Sequence, residues 1–228
     1  MKIAAFDTSS KALTLAILED ETLLAQMTLN IKKNHSITLM PAIDFLMNSL
    51  DMKPTDLDRI VVAQGPGSYT GLRIAVATAK TLAHTLKIEL VGVSSLLALV
   101  PEQAEGLVIP IVDARRNNVY AGFYRSGQAV RPEAHLPLAE VLEMAGAANQ
   151  PVTFVGETAA FAEQIESALP QAAIQPTLPD AAVIGRLGLD LPAQSIHDFV
   201  PNYLKRVEAE ENWLKTHQES SDSYIRRL

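Results

Sequence analysis

The chain has 228 residues, of which 48% are apolar and 20% charged, and its formal net charge is −7. This composition is typical of a globular protein and excludes an intrinsically disordered one. Cysteine does not occur, which excludes disulfide scaffolds, thiolate metal sites and cysteine nucleophiles. Because nucleic-acid affinity depends on Lys and Arg side chains that neutralise phosphates, a chain this acidic is expected to bind polynucleotides poorly by itself.

The N-terminal segment, residues 1–7, reaches an acidic side chain too early for a signal peptide. No apolar run approaches the roughly 18 residues that a membrane-spanning helix needs. We therefore expect a cytoplasmic protein without a membrane segment.

Apolar patterns predict the elements of the first half in chain order. The predicted strands are residues 3–6, 12–18, 23–29, 59–63 and 90–93. The predicted helices are residues 35–50, 72–86 and 96–100. Pro41 lies inside the first of these, which predicts either a helix start near Thr38 or a kink.

The second half restarts with a similar order of elements. The predicted strands are residues 108–112, 119–124 and 152–155. The predicted helices are residues 138–148, 158–168, 181–191 and, near the end, 208–217.

Both halves begin with a buried strand that ends in an acid, Asp7 or Asp113, followed by a tight turn and a second strand. A duplicated hairpin of this kind is typical of the actin-like, hexokinase-like and Hsp70-like ATPases. We therefore predict an α/β protein of the actin-like/Hsp70-like ATPase (ASKHA) fold, with two lobes that are each built on a mixed sheet with flanking helices. The N-terminal lobe is predicted at 1–104, with a C-terminal helix in 205–228 packing back on it, and the second lobe at 105–204.

Two interpretations fit the first turn, Asp7-Thr8-Ser9-Ser10, equally well. Its hydroxyls and amides could hold a phosphate while Asp7 faces a magnesium ion. The same residue types also close a hairpin through local hydrogen bonds. Asp7, Ser9 and Ser10 are therefore the candidate cofactor-binding residues.

A glycine-rich loop, residues 65–71, lies between a predicted strand and a predicted helix. Amides at a helix start attract anions, but the loop lacks the Lys-Ser or Lys-Thr pair of a P-loop, and its glycines are spaced too widely for a dinucleotide fingerprint. Pro66 also removes one amide. A tight turn with Thr70 as the helix cap is therefore favoured over an anion site. Arg73 opposes the helix dipole, which predicts an anionic partner for it.

Metal and hydrolase chemistry find little support in the sequence. No two of the five histidines are spaced for a metal site, and H-E-x-x-H and G-x-S-x-G are absent. We therefore expect no bound metal. Asp113 is followed closely by Arg115 and Arg116, and an ion-paired hairpin turn is favoured there over a catalytic role.

Five segments together carry a resemblance to a known family. They are Ile3 to Ser10, His35-Ser36 before Leu39-Met40-Pro41, Gly-Pro-Gly-Ser-Tyr-Thr-Gly-Leu-Arg at 65–73, Asp113-Ala114-Arg115, and Pro201-Asn202-Tyr203-Leu204. Over nearly its whole length the chain resembles the TsaB family, also called YeaZ. Asn118 departs from the family, which usually has Glu there, so no role is carried over to that residue.

The resemblance implies a partner subunit rather than an enzyme. TsaB-like proteins pair with a TsaD-type catalytic subunit, joined by a TsaE-type ATPase, to form threonylcarbamoyladenosine beside the anticodon of tRNA. The resemblance also implies a homodimer when the chain is alone, contact with tRNA only through the complex, and no cofactor other than an ATP or ADP at the complex interface.

The resemblance further implies that metal chemistry has been lost. In the TsaD-type relative a helix carries a His-x-x-x-His metal pair, and the matching positions here are Ser95 and Leu99, which are poor ligands. The alanines of helix 72–86 lie on more than one of its faces, so this helix can pack on the sheet and on a partner. The predicted interface residues are His35, Leu39, Ile43, Ile74, Ala75, Thr78 and Leu82.

Two other functions stay open. One is a nucleotide-dependent hydrolase or kinase that acts through Asp7, which ATP turnover by the pure protein would reveal. The other is a structural or signalling homodimer with no role in tRNA modification, which co-purification would distinguish from a subunit with a metal-bearing partner.

Overall fold

The computed structural model describes residues 1–31, 34–101 and 103–205, and within them the strands form two five-stranded sheets. The first sheet contains β1 (Lys2–Asp7), β2 (Leu13–Glu19), β3 (Thr22–Leu29), β4 (Arg59–Gly65) and β5 (Glu89–Ser94). The second contains β6 (Leu107–Asp113), β7 (Asn118–Arg125), β8 (Gln128–Pro137), β9 (Val152–Gly156) and β10 (Ala173–Pro176).

The two sheets have the same plan. The strand orders are β3-β2-β1-β4-β5 and β10-β9-β6-β7-β8. In each, the first three strands form an antiparallel meander, and the last two are parallel to the strand that opened it. The predicted α/β architecture with two mixed sheets is confirmed.

Helices flank both sheets. They are α1 (His35–Ser49), α2 (Tyr69–Leu86), α3 (Leu138–Gly146), α4 (Ala162–Ala168) and α5 (Ala181–Leu187). Helices α1 and α2 share one apolar core with the first sheet, α5 covers the opposite face of that sheet, and α3 and α4 pack on the second sheet. No helix within the described ranges is long and apolar enough to cross a membrane.

Helix α1 begins earlier than the alternative start near Thr38. Its N-cap is Asn34, whose side chain accepts a hydrogen bond from the Ser36 amide at 3.1 Å. The helix then continues through Pro41. Pro41 and Ile37, whose carbonyl has no amide partner at Pro41, are both exposed, so water can satisfy that carbonyl.

Three predicted helices are shorter than expected. Residues 96–100 contain only a 3₁₀ turn (Leu97–Leu99), the helix predicted from residue 158 begins at Ala162, and α5 ends at Leu187. Gly188 is the C-cap of α5 and packs against Val61, with less than 3 Å between its ideal Cβ position and the valine methyl groups. Strands β8 and β10 were not predicted. The predicted helix 208–217, and with it the predicted packing of 205–228, falls outside the described residues.

Helix α5 differs from its predicted placement in the second lobe, 105–204. It contacts β1, β2 and β4 of the first sheet, and Ala181 and Ile184 are buried in the core on that face. Gly185 permits the close approach, because a Cβ there would lie 2.4 Å from Leu18. The chain thus crosses to the second sheet after β5 and returns before α5, and the contiguous second sheet spans 107–176.

Two cations hold the segment that follows α5 against the first lobe. Buried Arg59 donates to the carbonyls of Gly188, Leu189 and Leu191 at 2.5–3.1 Å. Lys80 on α2 donates to two carbonyls further along, the nearer at 2.8 Å. Because the acceptors are main-chain carbonyls, these cations fix the backbone of this segment, and the contacts do not depend on which side chains it carries.

Candidate functional site

A cleft opens between the two lobes, where the first hairpin turn faces the second. It contains two adjoining cavities of about 400 and 380 Å³, and both are lined by the turn Ser9-Ser10-Lys11, by Asp113 and by Glu157. Of the predicted cofactor-binding residues, Ser9 and Ser10 line this cleft. Asp7 lies beneath it, and its side chain is fully buried.

Asp7 is occupied by the turn that follows it. One carboxylate oxygen accepts from the Ser9 amide at 2.5 Å, and the other accepts from the Ser9 hydroxyl at 3.0 Å. Burial raises the pKa of Asp7 to about 6, although the hydrogen bonds from Ser9 oppose the rise. This geometry is that of the hairpin-closing turn, the second of the two interpretations of this sequence.

The raised pKa of Asp7 predicts how folding stability depends on pH. Its folded pKa, about 6, exceeds the reference value of 3.8, so the folded state binds more protons between these values, and stability falls as pH rises through the window. We expect wild type to lose about 2 kcal/mol of unfolding free energy between pH 4 and 7 relative to the isosteric Asp7→Asn variant. Urea unfolding across this range measures it, with exposed Asp44→Asn as the charge control. Parallel pH profiles for wild type and Asp7→Asn would contradict the prediction.

The glycine loop packs directly against the first turn. The Ser68 amide donates to the Ser9 carbonyl at 2.7 Å, and the Thr8 hydroxyl donates to the Gly71 carbonyl at 2.8 Å. A Cβ on Gly71 would lie 1.9 Å from the Thr8 carbonyl oxygen, and one on Gly67 would lie 2.6 Å from that of Ser9. Both glycines are therefore required by backbone-to-backbone contact.

The cap of α2 differs from the predicted one. Ser68, not Thr70, is the N-cap, and its hydroxyl accepts from the Gly71 amide at 3.3 Å. Arg73 lies over the ring of Tyr69 and donates to its hydroxyl. The Tyr69 ring in turn stacks on Tyr203, with ring centroids 5.0 Å apart. The predicted anionic partner of Arg73 is thus replaced, within the described residues, by an aromatic ring.

Two distant segments meet at Gly65, where β4 ends. The Gly65 amide donates to the Ser95 hydroxyl at 3.1 Å, and the Ser95 amide donates back to the Gly65 carbonyl. On the other side, a Cβ at Gly65 would lie 2.4 Å from the Asn202 carbonyl oxygen, while the Asn202 amide donates to Gln64. The resembling segments 65–73 and 201–204 are therefore parts of one structural contact.

The second turn carries backbone strain. Arg115, Arg116 and Asn117 all have left-handed φ angles, between 53° and 71°, which is unfavourable for residues with a side chain. Asp113 accepts from the Arg115 amide at 2.8 Å and forms an ion pair with its guanidinium at 3.9 Å. This arrangement matches the ion-paired hairpin turn favoured by the sequence.

The sequence analysis matched Ser95 and Leu99 to the positions of a TsaD-type metal pair. The Ser95 side chain is buried and bonded to Gly65, and Leu99 is buried beside Gly156. No cluster of three metal-binding side chains occurs in the ranges that the structure describes.

We expect chelator-free protein to contain no stoichiometric transition metal. The physical reason is that leucine has no donor atom and the Ser95 hydroxyl already has a backbone partner. Elemental analysis of purified protein tests this. One zinc or iron per chain would contradict it.

Three of the predicted interface residues are buried in the chain's own core. Leu39, Ile43 and Ala75 belong to the cluster between α1, α2 and the first sheet, so placing them on a docking surface was wrong. They occupy the apolar stripe of each helix, and that stripe covers the sheet. Ile74, Thr78, Leu82 and His35 are half-buried, and the His35 ring bonds the Ser10 carbonyl at 3.0 Å.

The outer face of α1 presents large apolar side chains that the sequence analysis missed. Ile37 is 68%, Phe45 59% and Met40 46% exposed. We use the name α1 face for these three residues together with two half-buried residues of α2, the helix that α1 contacts: Ile37, Met40, Phe45, Ile74 and Thr78. A search for apolar residues off the helical stripe would have found its α1 members.

Comparison with known proteins agrees with this architecture. The family model described as TsaD, tRNA N6-adenosine threonylcarbamoyltransferase, matches residues 22–213. The chain is 42% identical over 227 residues to the tRNA threonylcarbamoyladenosine biosynthesis protein TsaB of Bacillus subtilis, covering 95% of this chain and 99% of that protein. The chain belongs to the TsaB (YeaZ) family. TsaB proteins serve the biosynthesis of threonylcarbamoyladenosine in tRNA.

Solved structures support the same placement. A Pseudomonas aeruginosa protein described as similar to peptidase YeaZ superposes with a TM-score of 0.77 and 27% identity, covering 90% of this TsaB-family chain and 99% of that one. Component A of (R)-2-hydroxyglutaryl-CoA dehydratase from Acidaminococcus fermentans matches at a TM-score of 0.50 and 11% identity, over 83% and 98% of the two chains. That likeness shows the fold alone. The predicted actin-like ATPase fold is confirmed.

Proposed function

We propose that the chain is a non-catalytic scaffold and activator subunit that pairs with a TsaD-type catalytic subunit in forming threonylcarbamoyladenosine beside the tRNA anticodon. The observation that carries this proposal is the α1 face. Three large apolar side chains standing out from one helix are a marker of a protein-protein contact.

The occupant of this face is a chain of the same fold. The TsaD family model matches residues 22–213 of this chain, so the TsaD-type subunit is expected to have helices equivalent to α1 and α2. Two such helix pairs can pack face to face as a four-helix layer. The same geometry fits a second copy of this chain, and we propose that homodimer and heterodimer compete for the α1 face.

The state of the cleft supports a non-catalytic role. Phosphoryl transfer needs a bound magnesium ion, clamped phosphates and a positioned nucleophile. Here both oxygens of Asp7 accept hydrogen bonds from Ser9, and the Ser68 amide is bonded to the Ser9 carbonyl. These groups do not fit a magnesium nucleotide without rearrangement, so the alternative of a hydrolase or kinase acting through Asp7 is not favoured.

The remaining partners follow from this assignment. We propose that a TsaE-type ATPase joins the complex, that tRNA is held only through the complex because this chain carries a net charge of −7, and that any ATP or ADP binds at the subunit interface.

Reconstitution tests the proposal. The purified chain alone is expected to show neither ATP turnover nor tRNA modification. The TsaD-type and TsaE-type subunits, supplied with threonylcarbamoyl-adenylate, are expected to modify tRNA only when this chain is added. Modification at full rate without it, or ATP turnover by the pure chain that Asp7→Asn abolishes, would overturn the proposal.

A further inference from the structure

The edges of the two sheets meet through one carboxylate. Ser94 is the last residue of β5, the edge strand of the first sheet, and Glu133 lies on β8, the edge strand of the second. One Glu133 carboxylate oxygen accepts hydrogen bonds from the Ser94 hydroxyl and from the hydroxyl of Tyr124 on β7. Glu133 therefore bonds both sheets at once.

This contact lies where the chain first crosses between the lobes. The Ser94 hydroxyl accepts from the amides of Leu96 and Leu97 at 3.1 Å each, so it also bonds the start of the crossing. The crossing then packs on the second sheet in one apolar cluster. Its members are Leu96, Leu99, Val100, Val108, Val112, Tyr124 and Val155.

The chemistry of the contact favours a fixed geometry. Tyr124 is only 3% exposed, and burial together with the adjacent carboxylate raises its pKa above the usual value, so its hydroxyl remains a donor. Hydrogen bonds from hydroxyls to a carboxylate are shorter and stronger than those between neutral groups. Tyr124 thus orients the Glu133 carboxylate toward Ser94.

We propose that the hydrogen bond between Glu133 and Ser94 fixes the angle between the two lobes and thereby the width of the cleft. The two lobes are linked by only two stretches of described chain, the crossing after Ser94 and the return before α5. Without this hydrogen bond, the lobes can rotate about these two stretches as in hinge motions of two-lobed proteins. The proposal concerns the isolated chain and does not depend on the proposed partner.

Distance measurements between spin labels test whether Glu133 fixes the angle between the lobes. Because the chain has no cysteine, Glu21→Cys and Glu166→Cys introduce one label into each lobe at exposed positions, and dilution with unlabelled protein removes distances between molecules. With Glu133 intact we expect one narrow distance distribution. Glu133→Ala is expected to increase the population outside that peak by about five- to tenfold, as the loss of the one hydrogen bond between the lobes implies.

Asp58→Ala is the control, since Asp58 accepts from the Lys2 amide within the first lobe, and it should leave the distribution narrow. A folded Glu133→Ala protein with the wild-type distribution would overturn the proposal. Should Glu133→Ala fail to fold, Ser94→Ala removes the inter-lobe bond from the other side, and an unchanged distribution in that variant would overturn it equally.

Discussion

Phe45→Glu is expected to leave a folded protein that no longer binds the TsaD-type subunit. Phe45 is 59% exposed on the α1 face, so replacing it changes the free energy of unfolding by no more than about 0.5 kcal/mol. In the complex the new carboxylate would be buried without a partner, which we expect to weaken binding at least about 100-fold. Calorimetric titration of the TsaD-type subunit measures the affinity, and circular dichroism verifies the fold.

Val130→Glu is the matched control for this variant. Val130 is an exposed apolar residue on β8, in the other lobe, so the same substitution there should leave the affinity unchanged. Because a second copy of this chain is proposed to use the same face, Phe45→Glu should also be monomeric by light scattering. Wild-type affinity for the catalytic subunit in a folded Phe45→Glu protein would place the contact elsewhere.

Gly71→Ala is expected to be among the most destabilising single substitutions in the chain. Its Cβ would lie 1.9 Å from the Thr8 carbonyl oxygen, and neither backbone can retreat without breaking the hydrogen bond from Thr8 to Gly71. We expect the free energy of unfolding to fall by about 3 kcal/mol or more, which lowers the melting temperature by roughly 6–12 °C for a chain of this size.

Gly146→Ala provides the comparison. Gly146 is the last residue of α3, and the nearest atom to its added Cβ is a leucine methyl group at 3.3 Å, the flexible end of a side chain. Its melting temperature should therefore stay close to that of wild type. Equal melting temperatures for Gly71→Ala and Gly146→Ala would show that the close contact between the glycine loop and the first turn is not required for stability.

The sequence predicts the two long helices of the first lobe well, but not the residues that face a partner. Leu39 and Ile43 are spaced one helical turn apart, and this spacing is the signal of a core-facing stripe; the structure buries both. Ile37 and Phe45 lie off the stripe, where periodicity gives no signal. Ala75 illustrates the consequence, because a glutamate there would enter the core and unfold the chain rather than block docking.

Strands β8 and β10 were not predicted for the same reason. In β8 all five residues of the first half are exposed, and β10 is only four residues long, so neither shows the alternation by which a half-buried strand is recognised. The sequence analysis interpreted the glycine loop correctly as a tight turn. It did not explain why glycine is needed there, because Gly71 contacts Thr8, which is 63 residues away in the sequence. Contacts of that range leave no local pattern.

The packing of α5 on the first sheet also sets the order in which the chain can fold as it leaves the ribosome. Residues 1–94 contain all five strands of that sheet, but the face with Ile3, Leu18 and Val61 is covered in large part by residues 181–189, which come much later in the chain. The second sheet, contiguous from 107 to 176, can close first. Translation from the N-terminus therefore leaves an apolar surface uncovered until the chain is nearly complete, and nascent chains that end before residue 181 should be ligands for chaperones.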